Sequence, residues 1–157
     1  MAEFSFDSLP RKQMAAGALI RDGRGRILIV KPTYRPEWLV PGGSIETDES
    51  PHTCVVREVE EELGIALPIG RLLCIEYQSR SAKRSDNLRF IFDGGVLDDS
   101  HLTRIHLPAS ELSEYRFVQL DEALRLLAAK LNHRIARSMQ ALHNGRVYYL
   151  ENGTEQS

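Results

Sequence analysis

The chain has 157 residues, 42% of them hydrophobic and 27% charged, and a formal net charge of −2 at pH 7. These values are typical of one globular domain, and the near-neutral charge excludes general attraction to nucleic acids. No apolar run approaches the roughly 18 residues of a membrane-spanning helix, and the first residues lack the pattern of a secretory signal. We therefore expect one cytoplasmic domain over residues 1–157, with no membrane partner and with Cys54 and Cys74 reduced.

Apolar segments separated by turn residues predict strands at the start of the chain. Met14–Ile20 and Ile27–Val30 flank an Asp22-Gly23 turn, which predicts a hairpin. Trp38–Val40 is predicted to be a short strand that enters a turn at Pro41–Gly43. The glycines of this turn would let the backbone approach a ligand or an ion closely.

A helix is predicted to follow, and its ends are marked in the sequence. Ser50 has the character of an N-cap, and Pro51 fits the first helical position. Gly64 stands where a helix commonly ends in a left-handed residue.

This helix concentrates acids on one side. At about 100° per residue, Glu58, Glu61 and Glu62 share one face, nearly opposite the apolar residues Val55, Val56, Val59 and Leu63. A solvated glutamate-rich face usually interleaves several basic residues, and here only Arg57 does so. Like charges four residues apart repel, so a cation would stabilise the cluster. Oxygen ligands alone favour Mg²⁺ or Mn²⁺.

The second half of the chain combines strands and helices. Strands are predicted at Arg71–Gln78, at Leu88–Leu97 with a break near Asp93–Gly95, and at Tyr115–Val118. Helices are predicted at about Asp121–Leu131 and His133–His143, followed by an edge strand at Val147–Leu150 and a loose polar tail, Glu151–Ser157. This order predicts an α+β fold in which a curved mixed sheet lies between helices.

The spacing around the acidic helix is specific. The pattern G-x5-E-x7-R-E-U-x-E-E-x-G-U, with U a bulky aliphatic residue, is matched by Gly43, Glu49, Arg57, Glu58, Val59, Glu61, Glu62, Gly64 and Ile65. The segment Gly43–Ile65 resembles the Nudix box of the MutT/Nudix hydrolases. The resemblance implies an α/β/α sandwich, with a helical C-terminal part at about residues 121–144. Relatives often carry glycine where this chain has Asp48.

The resemblance also implies a reaction, the metal-dependent hydrolysis of a small-molecule nucleoside diphosphate linked to another moiety. Its metal ligands would be Glu58, Glu61, Glu62 and the carbonyl of Gly42, with Mg²⁺ or Mn²⁺ bound. Arg57 and Glu49 would orient these acids. The general base would be a box glutamate such as Glu58 or, as in some relatives, an acid from a later loop. Glu111 is the first candidate in that loop and Glu114 the second.

Residues that bind the rest of the substrate are less clearly marked. Arg80, Lys83 and Arg84, with Arg89 just after them, follow a predicted strand and could hold a phosphate or a distal group, or simply form a solvated loop. Asn132 has a spacing similar to that of a purine-contacting residue in nucleotide-sanitising relatives, but it could equally cap a helix junction. The substrate would be a nucleoside triphosphate, oxidised forms included, or a nucleotide-sugar-like diphosphate.

Two alternatives share the fold. A nucleotide-sensing binding module usually lacks box acids, whereas this chain keeps them all. A prenyl diphosphate isomerase relies on a catalytic cysteine, and Cys54 within the box helix is poorly placed for that role. Relatives are often homodimers, so a homodimer is an open expectation.

Overall fold

The structure, a computed structural model, describes residues 5–156. Its strands are β1 (Gln13–Asp22), β2 (Ile27–Pro32), β3 (Gly42–Ser44), β4 (Leu72–Gln78), β5 (Asn87–Leu97), β6 (Leu112–Val118), β7 (Tyr148–Glu151) and β8 (Thr154–Glu155). Its helices are α1 (Pro51–Leu63), α2 (Asp99–Leu102), α3 (Leu120–Leu126) and α4 (Ala129–Asn144). None of the helices within residues 5–156 is long and apolar enough to cross a bilayer.

One mixed sheet organises the fold in the order β6-β2-β1-β5-β4-β7-β8, with β3 paired to β1. Strand β1 runs parallel to β5 and antiparallel to β2 and β3. Helix α1 packs on one face over a core that contains Val55, Val59 and Leu63. Helices α3 and α4 cover the other face, where Leu131 and Ile135 are buried. The layers are therefore α/β/α, in agreement with the predicted fold class.

The segment from Trp38 to Ser44 differs from the prediction. Trp38–Val40 makes only isolated pairings, Leu39 with Val30 and Trp38 with Leu127, and the strand in this region is β3. Pro36 and Pro41 bracket the segment and supply no N–H, so a longer ladder cannot form. The side chains of Trp38 and Val40 are buried in the core on the side of α4.

The predicted break between the C-terminal helices was also misplaced. Helix α3 ends at Leu126 and α4 begins at Ala129, whereas the prediction continued the first helix to Leu131. The backbone of Trp38 explains the earlier break, because its N–H donates to the carbonyl of Leu126 and its carbonyl accepts from the N–H of Ala128. Residues Leu127 and Ala128 therefore leave the helical path to pair with this segment.

Strand β5 continues to Leu97 instead of breaking near Asp93–Gly95. The pairing with β1 shifts there, since Leu19 opposes Asp93 but Arg21 opposes Val96. One extra residue on β5 forms a bulge, and Gly95 takes a φ of 78° within it. The predicted loose tail is likewise partly ordered, because β8 pairs with β7 and replaces it as the edge strand.

The face beneath α4 contains a buried ion pair. Arg134 of α4 donates to Glu76 of β4, and their side chains are only 10% and 2% exposed. Gln78 also donates to Glu76, at 3.1 Å. Charges removed from water are tolerated only when they are paired and hydrogen-bonded.

We expect Glu76→Gln to lower the free energy of unfolding by about 3 kcal/mol, because it leaves the Arg134 guanidinium buried without a counter-charge. The double variant Glu76→Met with Arg134→Met should recover most of that loss. Urea unfolding measures both, and Asp121→Asn on the exposed surface of α3 is the control, with a change below about 0.5 kcal/mol. A Glu76→Gln protein as stable as the wild type would show that the pair does not carry this energy.

Candidate active site

The ends of helix α1 fix which of its faces is buried. The Ser50 hydroxyl accepts from the N–H of Thr53, and Pro51 follows as the first helical residue. Gly64 ends the helix at φ 68°, and its N–H donates to the carbonyl of Glu60. This phasing buries Cys54, Val55, Val59 and Leu63 and turns the box acids toward β3.

Arg57 is the centre of the polar contacts on this helix. It donates from Nε and Nη2 to the two carboxylate oxygens of Glu49, at 2.7 and 3.0 Å. Its Nη1 reaches Glu58 at 2.8 Å and Glu61 at 3.1 Å, and Nη2 reaches the carbonyl of Ser44 at 3.3 Å. The Arg57 hydrogen bond, with a second from the backbone of Glu46, lowers the pKa of Glu49 to about 2. The guanidinium thus holds three of the predicted site acids in one arrangement.

Glu62 lies outside the reach of Arg57. Its carboxylate accepts from the N–H of Gly42 at 3.0 Å. Burial, with a smaller contribution from the nearby charges of Glu58, Glu111 and Glu61, raises the pKa of Glu62 to about 8 in spite of that one hydrogen bond. The predicted role of the Gly42 carbonyl as a metal ligand stays a prediction, since the contact seen here uses the N–H.

Glu58 is held between Arg57 and the glycine strand. A Cβ at Gly43 would overlap the Glu58 carboxylate, so only glycine leaves room for it. Burial raises the pKa of Glu58, although its hydrogen bond with Arg57 works in the opposite direction. A Cβ at Gly42 would approach the Cα of Gly17 to 2.6 Å. Glycine at position 42 therefore allows β3 to pair closely with β1.

The two candidate acids of the later loop differ in their surroundings. Glu111 is exposed just before β6, and its charge is close enough to raise the pKa of both Glu58 and Glu62. Glu114 instead accepts from the Nε of Arg116 at 2.6 Å. Of the two, Glu111 is the one that the structure brings to the box acids.

The site residues fit a hard divalent cation chemically. Glu49, Glu58, Glu61, Glu62 and Glu111 provide five carboxylates against one guanidinium, and all the donors are oxygens. Within residues 5–156, no three His, Cys, Asp or Glu side chains are already gathered into a metal cluster. Three of the carboxylates are bound by Arg57 and Glu62 by the Gly42 N–H, and a cation would offset the negative charge that one guanidinium leaves unbalanced.

Asp48 takes φ 60°, a left-handed conformation in which glycine is more common. This agrees with the presence of glycine at this position in many relatives of the box. The loop therefore keeps the backbone shape that glycine would give.

The predicted substrate-binding residues fall in two places. Arg80, Lys83 and Arg84 are exposed in the loop between β4 and β5. Asn132 lies on α4 and its Nδ2 donates to the carbonyl of Leu124 at 2.7 Å, so it joins the two C-terminal helices. Its buried Oδ1 has no hydrogen-bond partner.

The sequence interpretation missed a group of polar residues beneath the sheet. Glu76, Gln78, Asn87 and Arg134 are all buried. On strands β4 and β5 these polar residues alternate with larger apolar ones, a pattern that predicts a solvent-facing side. Only the position of α4 shows that this side is covered.

Comparisons with known proteins identify the family. The model of the NUDIX domain matches residues 11–142. Diphosphoinositol polyphosphate phosphohydrolase 2 of Mus musculus is 46% identical over 73 residues, 46% of this chain and 40% of that protein. Diphosphoinositol polyphosphate phosphohydrolase 3-alpha of Homo sapiens is 37% identical over 97 residues, 60% of this chain and 59% of that protein. The MutT protein structure from Methanosarcina mazei Go1 has a TM-score of 0.70 at 27% identity, and the match covers 86% of this chain and 99% of that one.

The family model covers most of the chain, so this protein belongs to the Nudix family. The predicted family and the predicted fold class are both confirmed. The match spans only about half the length of the curated relatives.

The buried carboxyl of Glu62 predicts a pH-dependent stability in the absence of divalent cations. The folded protein keeps this proton up to about pH 8, whereas the unfolded chain loses it near its ordinary pKa of 4.5. Because the folded state binds more protons between these values, the contribution of Glu62 to stability falls as the pH rises from 4.5 to 8.

Thermal melts in EDTA test this expectation. The Tm of Glu62→Gln relative to wild type should increase steadily from pH 5 to pH 8, because glutamine carries no charge. Glu60→Gln, on the exposed side of α1, should differ from wild type by a constant amount. Parallel curves for wild type and Glu62→Gln would mean that Glu62 titrates normally.

Proposed function

We propose that this protein is an enzyme that hydrolyses a phosphoanhydride bond in a diphosphate linked to another moiety, with Mg²⁺ or Mn²⁺. The observation that carries the proposal is the excess of carboxylates around one arginine, with the half-buried Glu62 among them. Membership of the Nudix family and the names of its phosphohydrolase relatives support the same reaction class.

In this proposal Glu58, Glu61 and Glu62 hold the cation, with the carbonyl of Gly42 as a further ligand. A divalent ion bound there would offset the charge of the diphosphate and acidify water. Glu62 must lose its proton to bind an ion, and the raised pKa places that proton within reach of neutral pH.

Arg57 and Glu49 act as positioning residues. Their bidentate contact joins the loop before α1 to the helix itself. Because the same guanidinium also binds Glu58 and Glu61, it sets how far apart these two carboxylates stay. Loss of Arg57 would release both acids and leave them mutually repelling.

Glu111 is proposed as the general base that takes the proton from the attacking water. It is exposed, lies near Glu58 and Glu62, and forms no ion pair with any residue that the structure describes. A carboxylate left free in this way can accept a proton during the reaction. Glu58 is the alternative base, but its carboxylate is already bound by Arg57.

Two substrate classes share the required diphosphate. The box resemblance favours a nucleoside triphosphate, oxidised forms included, or a nucleotide-sugar-like diphosphate. The relatives named as diphosphoinositol polyphosphate phosphohydrolases favour a second class of substrate, the diphosphoinositol polyphosphates. In either case Arg80, Lys83 and Arg84 are proposed to hold phosphate groups, and Asn132 to contact the organic part of the substrate.

The two rival functions find less support. A nucleotide-sensing module without turnover would not need all the box acids, which this chain retains. An isomerase would need a reactive cysteine, but burial raises the pKa of the Cys54 thiol to about 12. Mg²⁺-dependent release of phosphate or a nucleoside monophosphate separates the enzyme from the binding module.

We expect Glu62→Gln to reduce kcat by at least 100-fold while the Tm stays equal or rises, because the variant removes a metal ligand and a buried repulsion together. Products are identified by mass from a panel of nucleotide and diphosphoinositol substrates with Mg²⁺. Glu60→Gln is the matched control and should keep wild-type turnover, because Glu60 is exposed on the side of α1 opposite Glu58 and Glu62. Near-normal activity in Glu62→Gln would disprove the role assigned to this residue.

A further inference from the structure

Arg89 differs from the other arginines that lie under the sheet. Its side chain is half-buried on β5, and its Nε donates to the Oδ1 of Asn87 at 2.7 Å. No carboxylate within residues 5–156 forms an ion pair with it, and its two terminal nitrogens donate no hydrogen bond to the protein. The guanidinium is thus held in place but not neutralised.

The nearest acid is already occupied. Glu76 lies directly opposite Arg89 in the pairing of β4 with β5. Arg134 and Gln78 both donate to the Glu76 carboxylate, so this acid is committed to them. The pair of Glu76 and Arg134 is neutral overall, which leaves the charge of Arg89 in excess beneath the sheet.

The pKa of Arg89 also indicates an excess of positive charge around it. Burial lowers the pKa of Arg89, and the charges of Arg134 and Arg84 lower it further, while Glu76 alone opposes them. An arginine remains protonated at neutral pH even when its pKa is lowered. The folded protein is therefore destabilised by a positive charge that has no counter-charge beside it. A bound anion would remove that cost.

Arg89 also borders a cleft beside the box loop. The cleft has a volume of about 630 Å³, and its charged lining residues are Arg11, Lys12, Arg89, Glu46 and Asp48, so basic residues outnumber acids. It is large enough for a substituted ring. Arg89 therefore borders space that a ligand can fill.

The sheet sets the distance between this cleft and the site acids. Ala15 of β1 pairs with Ser44 on one side and with Arg89 on the other. Two strand spacings separate the backbones of Ser44 and Arg89 by about 10 Å. Gly43, next to Ser44, faces the Glu58 carboxylate, which a Cβ at this position would overlap. The backbone of Arg89 thus lies two strands away from the glycine strand that meets the site acids.

We infer that Arg89 is a specificity-determining residue, which binds a phosphate group carried by the organic part of the substrate, away from the anhydride that is cleaved. This inference rests on the proposed function and narrows it to diphosphate compounds with a further phosphate. Asn87 is the positioning residue, because its contact with Nε turns the guanidinium fork toward the cleft. A planar fork with two free nitrogens matches the oxygens of a phosphate.

The test measures binding without turnover. Isothermal calorimetry at 150 mM salt and in EDTA uses myo-inositol hexakisphosphate, a ring that carries phosphates but no anhydride. Wild type should bind one molecule, and Arg89→Gln should bind at least tenfold more weakly. Arg89→Lys keeps the charge but not the fork, so its affinity should fall between the two. Arg125→Gln, which removes an exposed arginine on α3, should bind within twofold of wild type.

Stability separates anion binding from a packing role. Because Arg89→Gln removes an uncompensated charge, its Tm should equal or exceed that of wild type. Equal affinity in Arg89→Gln and wild type, no binding by wild type, or weaker binding together with a lower Tm would each overturn the inference.

Failure of the proposed function would look different. Glu62→Gln should retain the affinity for the hexakisphosphate, because Arg89 is unchanged in that variant. If wild type binds this probe through Arg89 but hydrolyses no diphosphate with Mg²⁺, the inference stands as a binding site and the catalytic proposal fails. If wild type hydrolyses diphosphates and Arg89→Gln binds the probe normally, the catalytic proposal stands and the inference fails.

Discussion

The contact between Arg57 and its three carboxylates is the interaction on which this site depends. One guanidinium binds Glu49 through two nitrogens and reaches Glu58 and Glu61 as well. Acids this close on a helix would otherwise repel one another. By binding Glu58 and Glu61 of the helix and Glu49 of the preceding loop, Arg57 gives the site a fixed shape, and it leaves the charge of Glu62 unbalanced.

The sheet supplies the rest of the geometry. Strand β1 is flanked by the glycine strand β3 on one edge and by β5 on the other. The first neighbour brings the backbone against the Glu58 carboxylate, and the second carries Arg89. A region of excess negative charge and a region of excess positive charge thus lie on either side of one strand. Such an arrangement suits a ligand that carries both metal-bound and free phosphates.

Much of the acidic part could be predicted from the sequence. The caps at Ser50 and Gly64 and the period of the apolar residues fix which side of α1 faces β3, because these signals act within one helix. The contact of Arg57 with Glu49 lies in a loop that enters this helix, and its spacing belongs to the box. Patterns within short segments were therefore enough to predict the fold class and the acidic residues of the candidate site.

The parts that were wrong or missed depend on contacts between distant segments. Helix α3 ends early because Trp38, far away in the chain, binds the backbone of Leu126 and Ala128. The sequence indicated Arg89 only as one of several basic residues near the β4–β5 loop, because its position beside α4 and the pair of Glu76 and Arg134 depends on distant contacts. No local period encodes such a contact, so the sequence alone could not reveal it.

Proton release on metal binding tests the central claim most directly. Titration of the metal-free protein with Mn²⁺ at pH 7, in buffers of different ionisation enthalpy, measures both uptake and protons. Because the pKa of Glu62 is raised to about 8, binding should release about one proton per ion. In Glu62→Gln the ion should bind more weakly and release almost none. Mn²⁺ uptake without proton release, or no uptake at all, would contradict the account.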